Sequence, residues 1–228
     1  KRKSRGVSSA KRAKAPKARI PNKPRRSRLD VLVLGLGNPG TSYAATRHNV
    51  GFHVIDKRVA SRNLRLRRRT LRAYAFATER AGGSVVSLVK PLTYMNRSGQ
   101  VVPAVQRRFR PERIVVVCDN LDLPPGALRL KRGGSGGGHR GLESIARYLA
   151  PEQYLRLYVG IGRPGGIDGL GGGTHDGNRE EIVGYVLGEP GEAERQRLEA
   201  ATSRAAEFID LFPTASTDEL IQRINSSN

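Results

Sequence analysis

Four short stretches place hydrogen-bonding side chains at the ends of apolar runs. Asn38 follows Leu29–Leu36, and His48 and Asn49 precede an apolar series at helical spacing. Asn96 closes Lys90-Pro91-Leu92-Thr93-Tyr94-Met95-Asn96, and Asp119 follows Ile114–Cys118. A histidine with an acidic group to orient it and carboxamides nearby suits hydrolysis by an activated water. The imidazole takes the proton, and amide donors meet the charge that develops on the carbonyl oxygen. For each Asn or Asp by itself, capping a turn or helix is the competing role. No serine stands in a G-x-S-x-G setting and Cys118 reads as strand core, so water is favoured over a covalent nucleophile.

These residues need elements to position them. Leu29–Leu36 and Ile114–Cys118 are short, apolar and rich in β-branched residues, as buried strands are. Val50, Val54, Ile55 and Val59 recur at helical spacing. Tyr74–Thr78 and Ser84–Val89 flank Gly82-Gly83, which predicts a hairpin. A helix is expected over Ser98–Phe109 despite Pro103, short strands over Ala127–Lys131 and Tyr154–Ile161, and a helix over Gly141–Leu149. A last helix follows Pro190, with Leu198, Ala201, Ala205, Phe208 and Phe212 on one side. Strands interleaved with helices predict one α/β domain with a mixed, largely parallel sheet. In such sheets ligands bind outside the carboxyl ends of the strands, where Asn38, Asn96 and Asp119 would converge and a loop would bring His48.

Gly35-Leu36-Gly37-Asn38-Pro39-Gly40 matches G-x-G-x-x-G after a strand, the pattern of a dinucleotide-binding turn. The context argues against that use. Pro39 and Thr41-Ser42-Tyr43 read as loop where a helix should open, and Asp56 lies in a helical segment rather than at the end of a second strand. Two further segments are dominated by glycine: Gly133–Gly141 has six in nine residues and Gly165–Gly177 seven in thirteen. In the second, His175 reads as solvated rather than catalytic; His53 reads as surface or core packing.

The chain has 228 residues and a net charge of +21, with 41 Lys and Arg against 20 Asp and Glu. Thirteen of the basic residues fall within residues 1–29, which contain no acid. Such a chain is built to meet a polyanion. The division expected is a basic arm over residues 1–28, disordered by itself, and a folded domain over 29–228. Organelle targeting and RNA binding are the two competing uses of the arm. Arg62–Arg72 holds six arginines in eleven residues, and Arg62, Arg65, Arg67, Arg68 and Arg69, with Lys131 and Arg132, are candidates for RNA phosphates. One cysteine excludes an internal disulfide framework and a multi-cysteine zinc site, and fits a reducing compartment. No apolar run reaches the ~18 residues of a membrane span.

Taken together, the stretches resemble the bacterial-type peptidyl-tRNA hydrolase family from about Leu29 to Phe212. The resemblance rests on Gly35–Gly40, Tyr43-Ala44-Ala45-Thr46-Arg47-His48-Asn49-Val50-Gly51, Lys90–Gly99, Asp119-Asn120-Leu121-Asp122-Leu123-Pro124-Pro125-Gly126, the loop Gly133–Leu142 and Val183-Gly184-Tyr185-Val186-Leu187-Gly188. It implies a single α/β domain with a twisted mixed sheet flanked by helices. The implied activity cleaves the ester between a peptide and the 3′ end of tRNA, with no metal or organic cofactor. It makes His48 the base, Asp119 its support, and Asn38, Tyr43, Asn96 and Arg140 the residues on the substrate.

One departure stands out. Many relatives follow the histidine matching His139 with an asparagine, where this chain has Arg140, a permanent cation with donors only. His139 itself stands open between packing of the loop and a part in the site. The alternative function is a non-catalytic RNA-binding protein on the same fold, associated with an organellar ribosome or with RNA splicing. The expected partner is tRNA, with ribosomal RNA or a ribonucleoprotein reached through the arm. The domain is expected to act as a monomer, in a mitochondrion or another organelle rather than the cytoplasm.

Overall fold

The structure, a computed structural model, describes residues 28–81, 83–165 and 178–227. The arm up to residue 27 and most of the second glycine-rich segment, with His175, lie outside the described residues. In chain order the elements are β1 (Val31–Gly35), α1 (Val50–Ser61), β2 (Arg67–Arg69), β3 (Tyr74–Ala81), β4 (Ser84–Pro91), α2 (Val102–Phe109), β5 (Arg113–Asn120), β6 (Leu128–Arg132), α3 (Arg140–Ala146), β7 (Leu155–Gly160), α4 (Arg179–Val186), α5 (Glu192–Phe208) and α6 (Thr217–Asn225). The strands form one sheet in the order β2-β3-β4-β1-β5-β7-β6. The inner strands β4, β1, β5 and β7 run parallel, and the outer pairings are antiparallel.

The sheet is covered on both faces, which is why its inner strands read as continuous apolar runs rather than as an alternation. Val31 and Val33 of β1 pack with Val54 and Ile55 of α1, Leu198 and Ala201 of α5, and Leu220 and Ile224 of α6. Leu32 and Leu34 face the other way, toward Val102 and Val105 of α2 and Leu142 and Ile145 of α3. Each fully buried Val or Leu adds about 1.5–3 kcal/mol. Arg58 is buried between the layers and joins Glu79 of β3 to Asp210 beyond α5 at 2.7 and 2.6 Å.

The helix expected over 98–109 divides in two. A 3₁₀ helix, Met95–Val101, runs into α2, and Pro103 falls in the first turn of α2, where its missing N–H has no intrahelical partner to lose. The hairpin forms as expected, with Ala81 opposite Ser84. Asp119 belongs to β5 itself rather than to the turn after it. Three elements escaped the sequence reading: β2, α4 and α6.

Candidate active site

The carboxyl ends of β1 and β5 lie side by side, with Gly35 opposite Val117. The first turn of α1 sits directly on them. A side-chain carbon at Gly51 would stand 2.5 Å from Leu36 N and from the Val117 carbonyl oxygen, so only glycine permits this approach. The 3₁₀ turn Arg47–Asn49 leads into that helix and is thereby held over the end of β5. Arg47 fixes it from outside, with its guanidinium bidentate to Glu194 of α5 at 2.7 Å and stacked over Tyr185 of α4.

Within this frame His48 Nδ1 lies 2.8 Å from Asp119 Oδ1. The same oxygen lies 3.0 Å from His139 Nε2. His139 caps α3, and its Nδ1 accepts the backbone N–H groups of Gly141 and Leu142. A nitrogen that accepts carries no proton, so the ring proton of His139 is on Nε2, which donates to Asp119. Asp119, in turn, accepts from His48 Nδ1–H and leaves Nε2 of His48 with a free lone pair. His48 is partly exposed at 11 % of its side chain, whereas Asp119 is buried.

The electrostatics follow from these contacts. Burial opposes the charge on Asp119, but His48 and His139 outweigh it and hold the carboxyl well below the usual carboxylate range. For His48, burial disfavours the imidazolium, Asp119 more than offsets this, and the balance lies above the ordinary histidine value. The positive charge of Arg140 pulls the other way.

Asn38 is buried and fully oriented. Its backbone N–H donates to Asn49 Oδ1 at 2.8 Å, and Asn49 Nδ2 donates to the Asn38 carbonyl at 3.0 Å. The Asn38 side-chain oxygen accepts the Met95 N–H at 2.7 Å. That bond fixes which way the carboxamide faces and ties the 3₁₀ helix carrying Asn96 to the end of β1. Asn96 itself is exposed, Tyr43 is partly buried in the 3₁₀ turn Thr41–Tyr43, and Arg140 is exposed at the first position of α3.

The sequence reading missed His139 as a partner of Asp119 and Asn49 as the brace of Asn38. The signal for His139 was position: a histidine at the end of a glycine-rich loop, just before an apolar helical series. His53 does as expected, bonding the Ala44 carbonyl at 2.7 Å. His48, Asp119 and His139 offer three ligand atoms within 4.8 Å of one another, the spacing of a metal site. Here Asp119 Oδ1 receives two N–H groups and His139 uses both ring nitrogens within the protein, so these atoms satisfy one another.

The basic candidates divide between the two edges of the sheet. Arg65, Arg67, Arg68 and Arg69 are exposed on or beside β2, at one edge of the sheet, and Lys131 and Arg132 are exposed on β6, at the other. Arg62 is drawn into the Arg58 cluster, 2.5 Å from Asp210.

The family profile for peptidyl-tRNA hydrolases matches residues 32–228. The peptidyl-tRNA hydrolase of Acinetobacter baumannii, solved by crystallography, is 33% identical, over 90% of this chain and 98% of that one, with a TM-score of 0.76. A peptidyl-tRNA hydrolase crystallised in complex with N-propanol gives the same identity and TM-score, over 86% of this chain and 95% of that one. The α/β fold and the profile across nearly the whole described domain thus agree, and the chain belongs to the peptidyl-tRNA hydrolase family of carboxylic ester hydrolases.

Proposed function

We propose that the chain cleaves the ester joining a peptide, or an N-acylated amino acid, to the 3′ end of tRNA, with His48 activating the attacking water. Water gives a proton to His48 Nε2 as its oxygen bonds the ester carbon. Asp119 supports the imidazolium, and the freed donor of the Asn38 carboxamide meets the oxyanion. Collapse breaks the ester bond, and His48 returns its proton to the departing ribose oxygen. The products are a free carboxylic acid and a tRNA with its hydroxyl restored. Asn96, Tyr43 and Arg140 hold the substrate around this centre. Arg65, Arg67, Arg68, Arg69, Lys131 and Arg132 meet RNA phosphates, and the arm adds a largely sequence-blind attraction to RNA.

The observation that carries this reading is Asp119 Oδ1, bonded by both histidines so that the free nitrogen of His48 is the one without a proton. A general base so placed contributes roughly 10²–10⁴-fold, and a single oxyanion donor about 10²–10³-fold. The test is incubation of the full chain with an N-acylaminoacyl-tRNA, scoring the free N-acylated amino acid and a tRNA that can be charged again. Both products are expected at catalytic turnover. Tight tRNA binding without release would favour a non-catalytic RNA-binding protein, the reading toward which Arg140 and the basic arm point.

A further inference from the structure

One buried cation stands outside the proposed chemistry. Arg156, the second residue of β7, is 1% exposed, and among the described residues none of its hydrogen bonds goes to a carboxylate. Its guanidinium lies over the Tyr154 ring at 5.2 Å and beside the Tyr158 hydroxyl at 3.4 Å, on the face of the sheet that packs against α3. Two backbone carbonyls meet the charge: Nη1 donates to Ser135 and Nη2 to Gly134, both at 2.5 Å. A cation withdrawn from water is costly unless its donors are bonded, so the fork keeps these two oxygens close.

Both carbonyls belong to the loop of residues 133–138 between β6 and α3, which consists of five glycines and Ser135. None of residues 134–138 is buried, and Gly133, Gly134, Gly137 and Gly138 hold positive φ angles. Glycine has the most backbone freedom to lose, and this loop has almost no side chains to pack. Its course is therefore imposed from outside, and Arg156 imposes it where the chain leaves β6. The far end delivers His139. The His139 N–H donates to the Gly136 carbonyl at 3.0 Å, one residue beyond the Arg156 fork, and His139 Nε2 lies 3.0 Å from Asp119 Oδ1. A short, nearly bare stretch of backbone thus joins the fork to the histidine that orients Asp119.

We propose that Arg156 is a positioning residue for the hydrolysis, holding the glycine-rich loop so that His139 stays bonded to Asp119 and Asp119 stays turned toward His48. The inference rests on the reaction read above. The test uses the full chain with isotope-labelled histidine, its ring nitrogens observed by NMR and the His139 signals assigned by their loss in His139→Ala. In the wild type the His139 ring is expected to carry its proton on Nε2 alone. Arg156→Met fills the space on the sheet but leaves both carbonyls unbonded, and Arg156→Lys keeps the charge with one nitrogen in place of the fork. In either variant the proton should divide between the two ring nitrogens. Release of an N-acylated amino acid from tRNA should fall about tenfold in kcat, the cost of a base held slightly out of place, with tRNA affinity unchanged within about a factor of two. With His139→Ala already present, the same Arg156 change should cost no more than about a factor of two, because sites acting through one contact do not add.

A purely structural arginine would lower the melting temperature and leave the His139 ring as it is. An unchanged His139 ring in folded Arg156→Lys would therefore overturn the proposal, and so would a full tenfold loss from Arg156→Lys in the His139→Ala background. Should Arg156→Met fail to fold, Arg156→Lys decides both points. Failure of the underlying reading looks different. The wild-type chain would then release no N-acylated amino acid from tRNA while the His139 ring still followed Arg156.

Discussion

Replacing Asp119 by asparagine separates two things a buried carboxylate does for a histidine: it supplies charge and it selects the tautomer. An asparagine free to rotate would offer its Nδ2 to His48, move the imidazole proton to Nε2 and remove the base altogether. Here it is not free. His139 is held as an Nε2–H donor by the Gly141 and Leu142 N–H groups on its other nitrogen, and that donor demands an oxygen at the Oδ1 position. Asp119→Asn should therefore keep the right tautomer and lose only the charge. The influences left on His48, burial and Arg140, both lower its pKa. The base weakens and the imidazolium goes unsupported, for a loss of about 10²-fold in kcat, or about 2.7 kcal/mol. The acid limb of kcat/KM, which Asp119 holds above the ordinary histidine value by raising the His48 pKa, should shift to lower pH. Adding His139→Ala frees the amide to turn, and the loss should deepen to about 10⁴-fold. Steady-state release of an N-acylated amino acid from tRNA measures both. Equal losses in the single and double variants would refute the tautomer lock.

Arg140→Asn removes a positive charge that depresses the His48 pKa. Because His48 must be neutral to act, the acid limb should shift to higher pH, and an unmoved limb in the pH–rate profile would show that Arg140 does not reach His48. Gly51→Ala forces α1 away from Leu36 and Val117, so kcat should fall by at least about tenfold and the melting temperature should drop, both measurable on one preparation. Deleting residues 1–27 should leave the fold intact by circular dichroism. It should flatten the salt dependence of tRNA affinity by about 0.7–0.9 in slope for each phosphate the arm no longer neutralises, and an unchanged slope would assign the arm to another purpose.

The parts of this molecule most legible in its sequence are those whose signal is local. β1 and β5 are runs of Val, Leu and Ile, and the Gly82-Gly83 pair marks the β3–β4 hairpin. Asn38, His48 and Asp119 stand beside such runs, so topology alone brings them together at one end of the sheet. His139 was harder, because its part in the site depends on a helix N-terminus beneath it and on Asp119, 20 residues away in sequence. β2 offers three exposed arginines and no apolar alternation, and it exists because β3 supplies an edge to pair with. α6 did carry a signal that went unread: Ser216 and Glu219 form a reciprocal capping box ahead of the buried Leu220 and Ile224. The split of the basic residues between β2 and β6 could not have been read, since strand order is not written in any one segment.

The central claim is that His48 is the base, and its most direct test is turnover by His48→Ala at saturating N-acylaminoacyl-tRNA, with tRNA affinity measured on the same preparation. Loss of at least about 10²-fold in kcat with tRNA affinity largely retained is the expected result. A variant that folds, binds tRNA and keeps more than about a tenth of wild-type turnover would contradict it, since a positioned general base contributes roughly 10²-fold or more.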